Sequence, residues 1–286
     1  MEISGSKLAD LLKKELKREL AKLKKKKLKL ATFLVGQSAD QLSFVKIKKK
    51  LAKDLGIDFE FIHLKVVPPF ERFMRKIREK AMEKDTTGVI IQQPLPAHLS
   101  TNSIYNCIPI TKEIEGHVRK TPYYPPIGLA ILTILKYIFL KTRSGKDLFI
   151  NIKKDKNFFK KILHNKKIVL VGQGLTGGEP IGKTLTDFKI NYLGLNSRTP
   201  EPESYLKEAD IIISAVGKKV IFPENLKPGV ILINVGLRRE NGKLKGDYEE
   251  KEINKIASFY TPVIGGLGPL DVLYLYKNLV DAAKLQ

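Results

Sequence analysis

A glycine-rich turn between an apolar strand and a helix is the feature that most restricts the fold of this chain. The segment 171-VGQGLTGGEP-180 follows the apolar run Lys167–Val171 and precedes an amphipathic helical pattern. Its glycines have the spacing G-x-G-x-x-G, at positions Gly172, Gly174 and Gly177. Glycines at this spacing permit a tight turn and direct the first N–H groups of the helix toward one point. The segment therefore predicts a strand–turn–helix unit within a parallel sheet.

Strands and helices also alternate along the rest of the chain. Before the turn, apolar runs predict strands at Leu28–Val35, Ile57–Lys65 and Val89–Gln92. After the turn, strands are predicted at Ile190–Leu195, Asp210–Val216 and Val230–Val235. Helical patterns lie between them, and this order is typical of mainly parallel sheets covered on both faces. The predicted fold class is α/β, with two α/β lobes around a cleft, of which the second is a Rossmann-type domain.

A change of composition indicates the boundary between the two lobes. Residues Lys141–Asn165 are polar and basic, and they predict an irregular linker. We place the first domain at residues 1–143 and expect the C-terminal helix, residues 269–286, to complete it. The Rossmann-type domain then covers residues 144–268.

The chain is strongly basic, with a net charge of +22. Its lysines are spread over most of the sequence, with few arginines and aromatic residues among them, which is typical of a solvated surface. A funnel for an anionic substrate and a surface that binds nucleic acid are the alternatives. Charge alone does not decide between them, and we expect no nucleic-acid partner.

The sequence also bears on compartment and redox state. No apolar run reaches the roughly 18 residues that cross a bilayer. A lysine-dense amphipathic segment stands where a secretory signal would have its apolar region, and acidic residues interrupt it as they would not in a transit peptide. Cys107 is the single cysteine, which excludes an internal disulfide and a cysteine-based metal cluster. We expect a cytoplasmic protein without a metal and without a membrane partner.

The glycine turn is suited to a dinucleotide, because glycines let the backbone approach a pyrophosphate and the helix N-terminus favours its charge. A purely structural glycine turn is the alternative. After the next strand the sequence reads 196-NSRT-199, without the acid that usually holds the ribose 2′-hydroxyl of NAD. Ser197 and Arg198 offer a hydroxyl and a guanidinium to a 2′-phosphate, which favours NADP over NAD. A solvated turn explains these two residues equally well.

Two residues of the second predicted helix share one face, because Phe44 and Lys48 are four positions apart. An aromatic ring there can stack on a flat heterocycle, and the amine beside it can move protons. The alternatives are a core aromatic for Phe44 and one more surface lysine for Lys48, whose neighbours include Lys46 and Lys49. Gln92 ends a predicted parallel strand, where open α/β sheets bind ligands.

Several segments, in their order along nearly the whole chain, together resemble the bifunctional methylenetetrahydrofolate dehydrogenase/cyclohydrolases. The segment 91-IQQPLP-96 is similar to the family's V-Q-L-P-L-P, and 112-KEIEG-116 resembles K-D-V-D-G. The final segment, 261-TPVIGGLGPLDVL-273, is similar to the highly specific T-P-V-P-G-G-V-G-P-M-T. The other segments that carry the resemblance are 35–57, 125–128, the glycine turn and 209–217.

The resemblance implies an enzyme of one-carbon metabolism that contributes to purine biosynthesis. It would oxidise 5,10-methylenetetrahydrofolate to 5,10-methenyltetrahydrofolate with NADP, and then hydrolyse this product to 10-formyltetrahydrofolate, as a homodimer. The first domain would hold the tetrahydrofolate derivative. The implied catalytic residues are Lys48, Phe44, Gln92 and Glu115. The implied cofactor residues are Gly172, Gln173, Gly174, Gly177, Ser197 and Arg198. The implied substrate residues are Phe44, Glu115, Gly265, Gly266, Pro269 and Asp271.

The chain departs from the family's pattern at several of these positions. Phe44 replaces a tyrosine, Glu115 an aspartate, Asp271 a threonine and Gln173 an arginine, whereas the implied lysine, Lys48, is retained. We expect the dehydrogenase to be the better retained activity and the cyclohydrolase to be weak. A dehydrogenase that has lost hydrolysis, and a non-catalytic or nucleic-acid-binding relative, are the alternatives.

Overall fold

The computed structural model describes residues 1–23, 27–140 and 144–286. The chain divides into two compact units. The three-stranded unit contains residues 15–126 and 272–286, and the five-stranded unit contains residues 1–14 and 127–271. Each unit has a parallel sheet and helices, so the predicted α/β class is confirmed. None of the described helices is both long enough and apolar enough to cross a membrane.

The sheet of the three-stranded unit has the order β2-β1-β3, with all strands parallel. Its strands are β1, Lys29–Val35, β2, Asp58–Leu64, and β3, Gly88–Ile91. The central strand β1 is buried along nearly its whole length, which is why it reads as a continuous apolar run. The helices of this part of the chain are α1, Gly5–Lys22, which begins in the five-stranded unit, α2, Ala39–Leu55, and α3, Phe70–Met82.

Local sequence signals set the bounds of α2. The Oγ atom of Ser38 accepts a hydrogen bond from the Gln41 N–H at 3.4 Å and caps the start of the helix. Gly56 ends the helix in the left-handed conformation, with φ 70°. Between these caps, Lys48 is the lysine of α2 that is buried, on the same face as Val45 and Ala52.

The C-terminal helix α10, Gly268–Leu285, begins in the five-stranded unit and continues into the three-stranded unit from residue 272. Leu279 packs so closely on the start of β3 that a Cβ atom at Gly88 would lie 2.6 Å from its Cδ1 atom. Gly88 therefore has a packing role. The close contact holds α10 against the start of β3.

The sheet of the five-stranded unit is parallel and has the order β10-β7-β6-β4-β5. Its strands are β4, Ile168–Val171, β5, Leu193–Leu195, β6, Ile211–Ser214, β7, Ile231–Asn234, and β10, Phe259–Tyr260. Strands β8, Arg238–Glu240, and β9, Lys243–Lys245, form a separate hairpin. Because β5 and β6 flank β4 on opposite sides, the chain reverses its direction across the sheet there. Such a switch point is where doubly wound sheets bind ligands.

The helices of the five-stranded unit cover its sheet and connect its strands. They are α4, Pro126–Leu140, α5, Gly145–Leu148, α6, Ile152–Leu163, α7, Gly178–Asp187, α8, Pro202–Glu208, and α9, Glu250–Ile253. Short 3-10 helices occur in both units, at Ala97–Leu99, Asn102–Cys107 and Pro223–Asn225.

An irregular linker was predicted over residues 141–165. This prediction is wrong for residues 144–165, since helices α5 and α6 occupy much of that segment. Residues 141–143 lie outside the described part of the chain. A buried ion pair explains the order, because Lys136 Nζ on α4 lies 2.8 Å from Asp155 Oδ2 on α6. Residues 127–140 also group with the five-stranded unit, where a Cβ atom at Gly128 would overlap Thr184 of α7. The boundary between the two units, at residues 126/127, therefore lies before the boundary predicted at residues 143/144.

The predicted strand over Ile190–Leu195 is shorter in the structure. The Ile190 N–H donates to the Leu185 carbonyl at 2.9 Å, so this residue still completes the C-terminal turn of α7. Strand β5 begins only at Leu193. Apolar character alone did not distinguish the helix cap from the strand.

Candidate active site

Lys48 is buried on α2, and its amine meets the end of β3. The Nζ atom donates a hydrogen bond to Gln92 Oε1 at 3.1 Å, and Lys48 is only 8 % exposed. The Gln92 Nε2 atom donates to the Gln93 carbonyl at 2.9 Å, which orients the amide so that its oxygen faces the lysine. Lys46, Lys49 and Lys50 are exposed on the same helix. Lys48 is therefore not one more surface lysine.

Glu115 lies close to the same amine. Its Oε1 atom is 3.8 Å from Lys48 Nζ, and its Oε2 atom is 3.8 Å from His117 Nε2. Burial opposes ionisation of this carboxyl, but the charges of Lys48 and His117 outweigh burial and hold the pKa of Glu115 below its ordinary value. The structure thus brings Lys48, Gln92 and Glu115 together as an amine, an amide and an ionised carboxylate.

Glu113 fixes the backbone that carries Glu115. It is buried, and its carboxylate accepts hydrogen bonds from the N–H groups of Glu115 and His117, each at 2.9 Å, and of Val118 at 3.2 Å. Gly116 turns this loop with φ 82°, a conformation that favours glycine. The sequence analysis missed the role of Glu113, although the acidic residue two positions before Glu115 is visible in 112-KEIEG-116.

Two residues of α10 bind the backbone around the site, and the sequence analysis predicted neither of them. The Tyr276 hydroxyl donates to the Lys48 carbonyl at 2.7 Å. The Asn278 Nδ2 atom donates to the carbonyls of Ile114 at 2.8 Å and Tyr124 at 2.9 Å. The C-terminal helix therefore positions both the helix that carries Lys48 and the loop that carries Glu115.

Phe44 lies one turn before Lys48 on α2 and is 40 % exposed. Ile47, between the two, is 51 % exposed. The aromatic ring is therefore not a core residue, and its face is accessible to a flat ligand beside the buried amine. This accessibility favours the stacking interpretation of Phe44 over the packing one.

The glycine turn after β4 has the geometry of a cradle. Gly172 has φ 89°, and a Cβ atom there would lie 2.6 Å from the Ala215 carbonyl oxygen of the loop after β6. A Cβ atom at Gly178 would overlap the Gly172 carbonyl, so this glycine, which the sequence analysis did not select, is required for the turn. At Gly174, no atom of the described residues lies within 4 Å of a Cβ position. A Cβ atom at Gly177 would lie 3.3 Å from Ala215 Cβ, a tight contact that requires a small shift of the neighbour.

The open side at Gly174 therefore fits a group that approaches the backbone closely, as a pyrophosphate would. The turn stands at the switch point of the sheet, between the ends of β4 and β6. Gln173 is exposed, and its amide lies over Gly194 of β5, where a Cβ atom would overlap it. It thus covers the neighbouring strand instead of supplying a cation.

Ser197 and Arg198 follow the end of β5, and both are exposed. Their turn is ordered by its own hydrogen bonds, because the Arg198 N–H donates to Asn196 Oδ1 at 2.8 Å and the Asn196 N–H to Thr199 Oγ1 at 2.9 Å. The exposed hydroxyl and guanidinium therefore stand on a turn whose backbone is already ordered.

A buried carboxylate orders the loop next to the glycine turn. Asp247 accepts hydrogen bonds from Ser214 Oγ at 2.6 Å and from the N–H groups of Val216 and Gly217, each at 2.8 Å. It also accepts one from the Lys218 N–H at 3.1 Å. This residue was missed, since it follows the β8–β9 hairpin, which the sequence analysis did not predict.

The remaining predicted substrate residues lie at the start of α10 and in the loop before it. The Ser6 N–H donates to the Gly265 carbonyl at 2.9 Å, and a Cβ atom at Gly5 would overlap the Gly266 carbonyl. Gly265 and Gly266 therefore have a packing role within the five-stranded unit. Pro269 and Asp271, in the first turn of α10, are half-buried. Substrate binding by these four residues stays a prediction.

Comparison with known families decides the relationship. Residues 3–115 match the catalytic domain of tetrahydrofolate dehydrogenase/cyclohydrolase, and residues 156–286 match its NAD(P)-binding domain. The chain belongs to the tetrahydrofolate dehydrogenase/cyclohydrolase family. The family resemblance predicted from the sequence motifs is thereby confirmed. The clusters around Lys48 and the glycine turn lie in the catalytic and NAD(P)-binding matches, respectively.

Individual members of the family match over almost their full length. Bifunctional protein FolD of Geobacillus thermodenitrificans is 33% identical over 99% of this chain and 96% of its own length. The crystal structure of the bifunctional enzyme FolD from Campylobacter jejuni has a TM-score of 0.86 at 26% identity, covering 100% of this chain and 99% of its own. The Trypanosoma brucei dehydrogenase-cyclohydrolase, complexed with NADP and an inhibitor, has a TM-score of 0.84 at 23% identity, covering 100% and 97%.

Proposed function

We propose that this chain oxidises 5,10-methylenetetrahydrofolate to 5,10-methenyltetrahydrofolate with NADP and then hydrolyses the product to 10-formyltetrahydrofolate. The observation that carries the proposal is the cluster of Lys48, Gln92 and Glu115, with separations of 3.1 and 3.8 Å from the lysine amine. Family membership supplies the reaction, and the cluster supplies the groups that the reaction needs.

Hydrolysis requires one group that accepts and then returns a proton. Water adds to the cationic methenyl carbon and loses one proton. The bond from that carbon to the N5 nitrogen then breaks as N5 gains a proton, and the remaining hydroxyl loses its proton to solvent as the formyl C=O forms. Lys48 in its neutral form is the proton acceptor, and the ammonium so formed is then the donor. Gln92 keeps the amine at the end of β3 through the 3.1 Å hydrogen bond, and the buried setting limits the amine to one place. Glu115, ionised and next to the amine, accepts hydrogen bonds from the N–H groups of the pterin.

Oxidation depends mainly on position. NADP, when bound, would supply the hydride acceptor for oxidation of the methylene carbon. The exposed face of Phe44 stacks on the pterin, and Glu115 anchors its polar edge. Because neither role requires the hydroxyl of a tyrosine at position 44, oxidation is the activity that this site retains best.

The direct test is an absorbance assay with methylenetetrahydrofolate, followed by hydrolysis of methenyltetrahydrofolate. Lys48→Met should remove hydrolysis, and Lys50→Met, an exposed lysine of the same helix, is the matched control that should leave both activities unchanged. Phe44→Tyr should raise hydrolysis, since the added hydroxyl helps to orient Lys48. Full hydrolysis in folded Lys48→Met would overturn the assignment of Lys48.

Preference for NADP over NAD is part of the proposal. It is supported by the exposed hydroxyl and guanidinium of Ser197 and Arg198 and by the lack of an acid in the segment 196–199. Arg198→Ala should lower the affinity for NADP, measured by calorimetry, by about tenfold or more and leave that for NAD nearly unchanged. Lys207→Ala, an exposed cation on α8, is the control. Equal losses for both dinucleotides would show that Arg198 does not discriminate between them.

The wider setting of the reaction is proposed on the family alone. It comprises assembly as a homodimer, a cytoplasmic location and supply of 10-formyltetrahydrofolate to purine biosynthesis. Sedimentation equilibrium of the purified chain tests the dimer, and a monomer at micromolar concentration would contradict it.

A further inference from the structure

The lysine site is part of a closed ring of side chains within the three-stranded unit. Lys48 contacts Gln92, and the next residue, Gln93, donates through Nε2 to the Tyr105 hydroxyl at 2.7 Å. The Tyr105 ring stacks on His117, with ring centroids 4.1 Å apart and an interplanar angle of 18°. His117 contacts Glu115, and Glu115 contacts Lys48, which closes the ring.

The proposed reaction leaves His117 without a role, although the structure holds it firmly. Its backbone N–H is bound by buried Glu113, its ring is packed on Tyr105, and its side chain is 28 % exposed. Among the described residues, the titratable groups that face it include Glu113 and Glu115 of its own loop, Tyr105 of the 3-10 helix and, through Glu115, Lys48 of α2.

The two distances at Glu115 define what His117 does. Each carboxylate oxygen is 3.8 Å from a nitrogen, one of Lys48 and one of His117. A direct charge-assisted hydrogen bond would be about 2.7–2.9 Å long, so neither of these two contacts is a direct one, and a backbone hydrogen bond at Ile91 also holds the carboxylate. A shift of about 1 Å toward Lys48 would join the carboxylate to the amine and occupy both groups.

We propose that His117 is a positioning residue of the reaction, which holds the second oxygen of Glu115 and keeps this carboxylate from closing onto Lys48. The inference rests on the proposed function and adds a residue to it. Glu115 then stays available to the pterin, and the Lys48 amine stays available to water. Hydrolysis uses both, so it depends on His117 more than oxidation does.

Two substitutions separate the ring stacking from the contact with Glu115. His117→Phe keeps an aromatic ring on Tyr105 but removes both nitrogens, and His117→Gln keeps a donor near Glu115 but removes the ring. We expect His117→Phe to lower kcat of hydrolysis on the order of tenfold, with a smaller effect on oxidation, and His117→Gln to recover part of the loss. The pH profile of hydrolysis should flatten between pH 5 and 8, where histidine titrates.

A double-mutant cycle with Glu115→Gln decides whether His117 acts through Glu115. In the Glu115→Gln background, His117→Phe should change hydrolysis by less than about twofold, because the carboxylate that it positions is gone. The same tenfold loss in both backgrounds would overturn the inference, since it would assign the effect to the packing of His117 on Tyr105. No loss in His117→Phe alone would also overturn it.

An NMR titration of the histidine rings gives a readout that needs no turnover. The chain has 4 histidines, and the signal that is missing in His117→Phe identifies this one. Glu115→Gln should move the titration midpoint of His117 to lower pH, because the anion favours the protonated ring, and should leave the other midpoints in place. An unmoved midpoint would reject the pairing. Inactive wild-type protein would reject the proposed function, and the titration would still decide the pairing.

Discussion

Replacing Asn278 by leucine should damage the candidate site from a distance. The side chain is buried, and its Nδ2 atom donates two hydrogen bonds, to the Ile114 carbonyl at 2.8 Å and the Tyr124 carbonyl at 2.9 Å. Leucine has the same number and branching of side-chain heavy atoms and removes both hydrogen bonds. Two lost bonds cost about 2 kcal/mol, and the two carbonyls left without this donor raise the cost to about 3 kcal/mol. At about 2–4 °C per kcal/mol, Tm should fall by roughly 6–12 °C.

The effect on activity should be larger than the effect on stability suggests. Ile114 lies between Glu113 and Glu115, so release of its carbonyl frees the loop that carries the pterin anchor. A displacement of about 1 Å at such a site can lower the rate on the order of a hundredfold. We therefore expect kcat of both reactions to fall by about 10- to 100-fold at 25 °C, where the variant stays folded. Affinity for the dinucleotide, measured by calorimetry, should not change.

The control is a destabilised variant that leaves this loop alone. Lys136→Met removes the partner of buried Asp155 in the five-stranded unit and should cost about 3–5 kcal/mol. Absorbance assays of both variants and of the wild type, with urea unfolding in parallel, separate the two effects. If Asn278→Leu is destabilised as expected but keeps its kcat, then α10 supports the fold without positioning Glu115. If Lys136→Met loses as much activity, stability alone explains the result.

Two further predictions concern the glycine turn and Glu115. Gly178→Ala should abolish dinucleotide binding and destabilise the turn, because a methyl group there overlaps the Gly172 carbonyl. Gly174→Val should also abolish dinucleotide binding, measured by calorimetry, but should keep the wild-type Tm, because the Cβ position is open. The pKa of Glu115 is lowered in the folded state from its ordinary value of 4.5, so its contribution to stability is present above that value and is lost as the pH falls toward the lowered one. In urea unfolding, the free energy of unfolding of Glu115→Gln should therefore fall less than that of the wild type as the pH is lowered below about 4.5. The same pH dependence in both proteins would contradict this reasoning.

Much of the fold could be predicted because its signals are local. Buried parallel strands appear as apolar runs, and Gly56 ends α2 as a left-handed cap. Helix α6 also had a local signal, since Asp155, Phe159 and Leu163 recur every four residues and are buried. The lysines between these residues make the segment polar and basic, and this composition concealed the helical period.

The site was predicted only in part, and the reason is sequence separation. Lys48 could not be distinguished from its neighbouring lysines by spacing, and family resemblance selected it. Tyr276 and Asn278 are 228 and 164 positions from the residues whose carbonyls they bind. Asp247 is 33 positions from Ser214 and depends on a hairpin that carries little apolar signal. Polar residues of this kind are recognised only once the packing brings their partners together.

The departures from the family's pattern are best understood together. Glutamate at position 115 is one methylene longer than aspartate, and its two oxygens lie 3.8 Å from Lys48 and from His117. At that distance neither group makes a direct hydrogen bond to the carboxylate, so the longer side chain can still accept the N–H groups of a pterin. The loss of the tyrosine hydroxyl at Phe44 has no such compensation near Lys48 among the contacts described above, where Gln92 alone accepts a hydrogen bond from the amine. We therefore expect the changed residues to preserve binding of the folate and to weaken the proton transfer in hydrolysis.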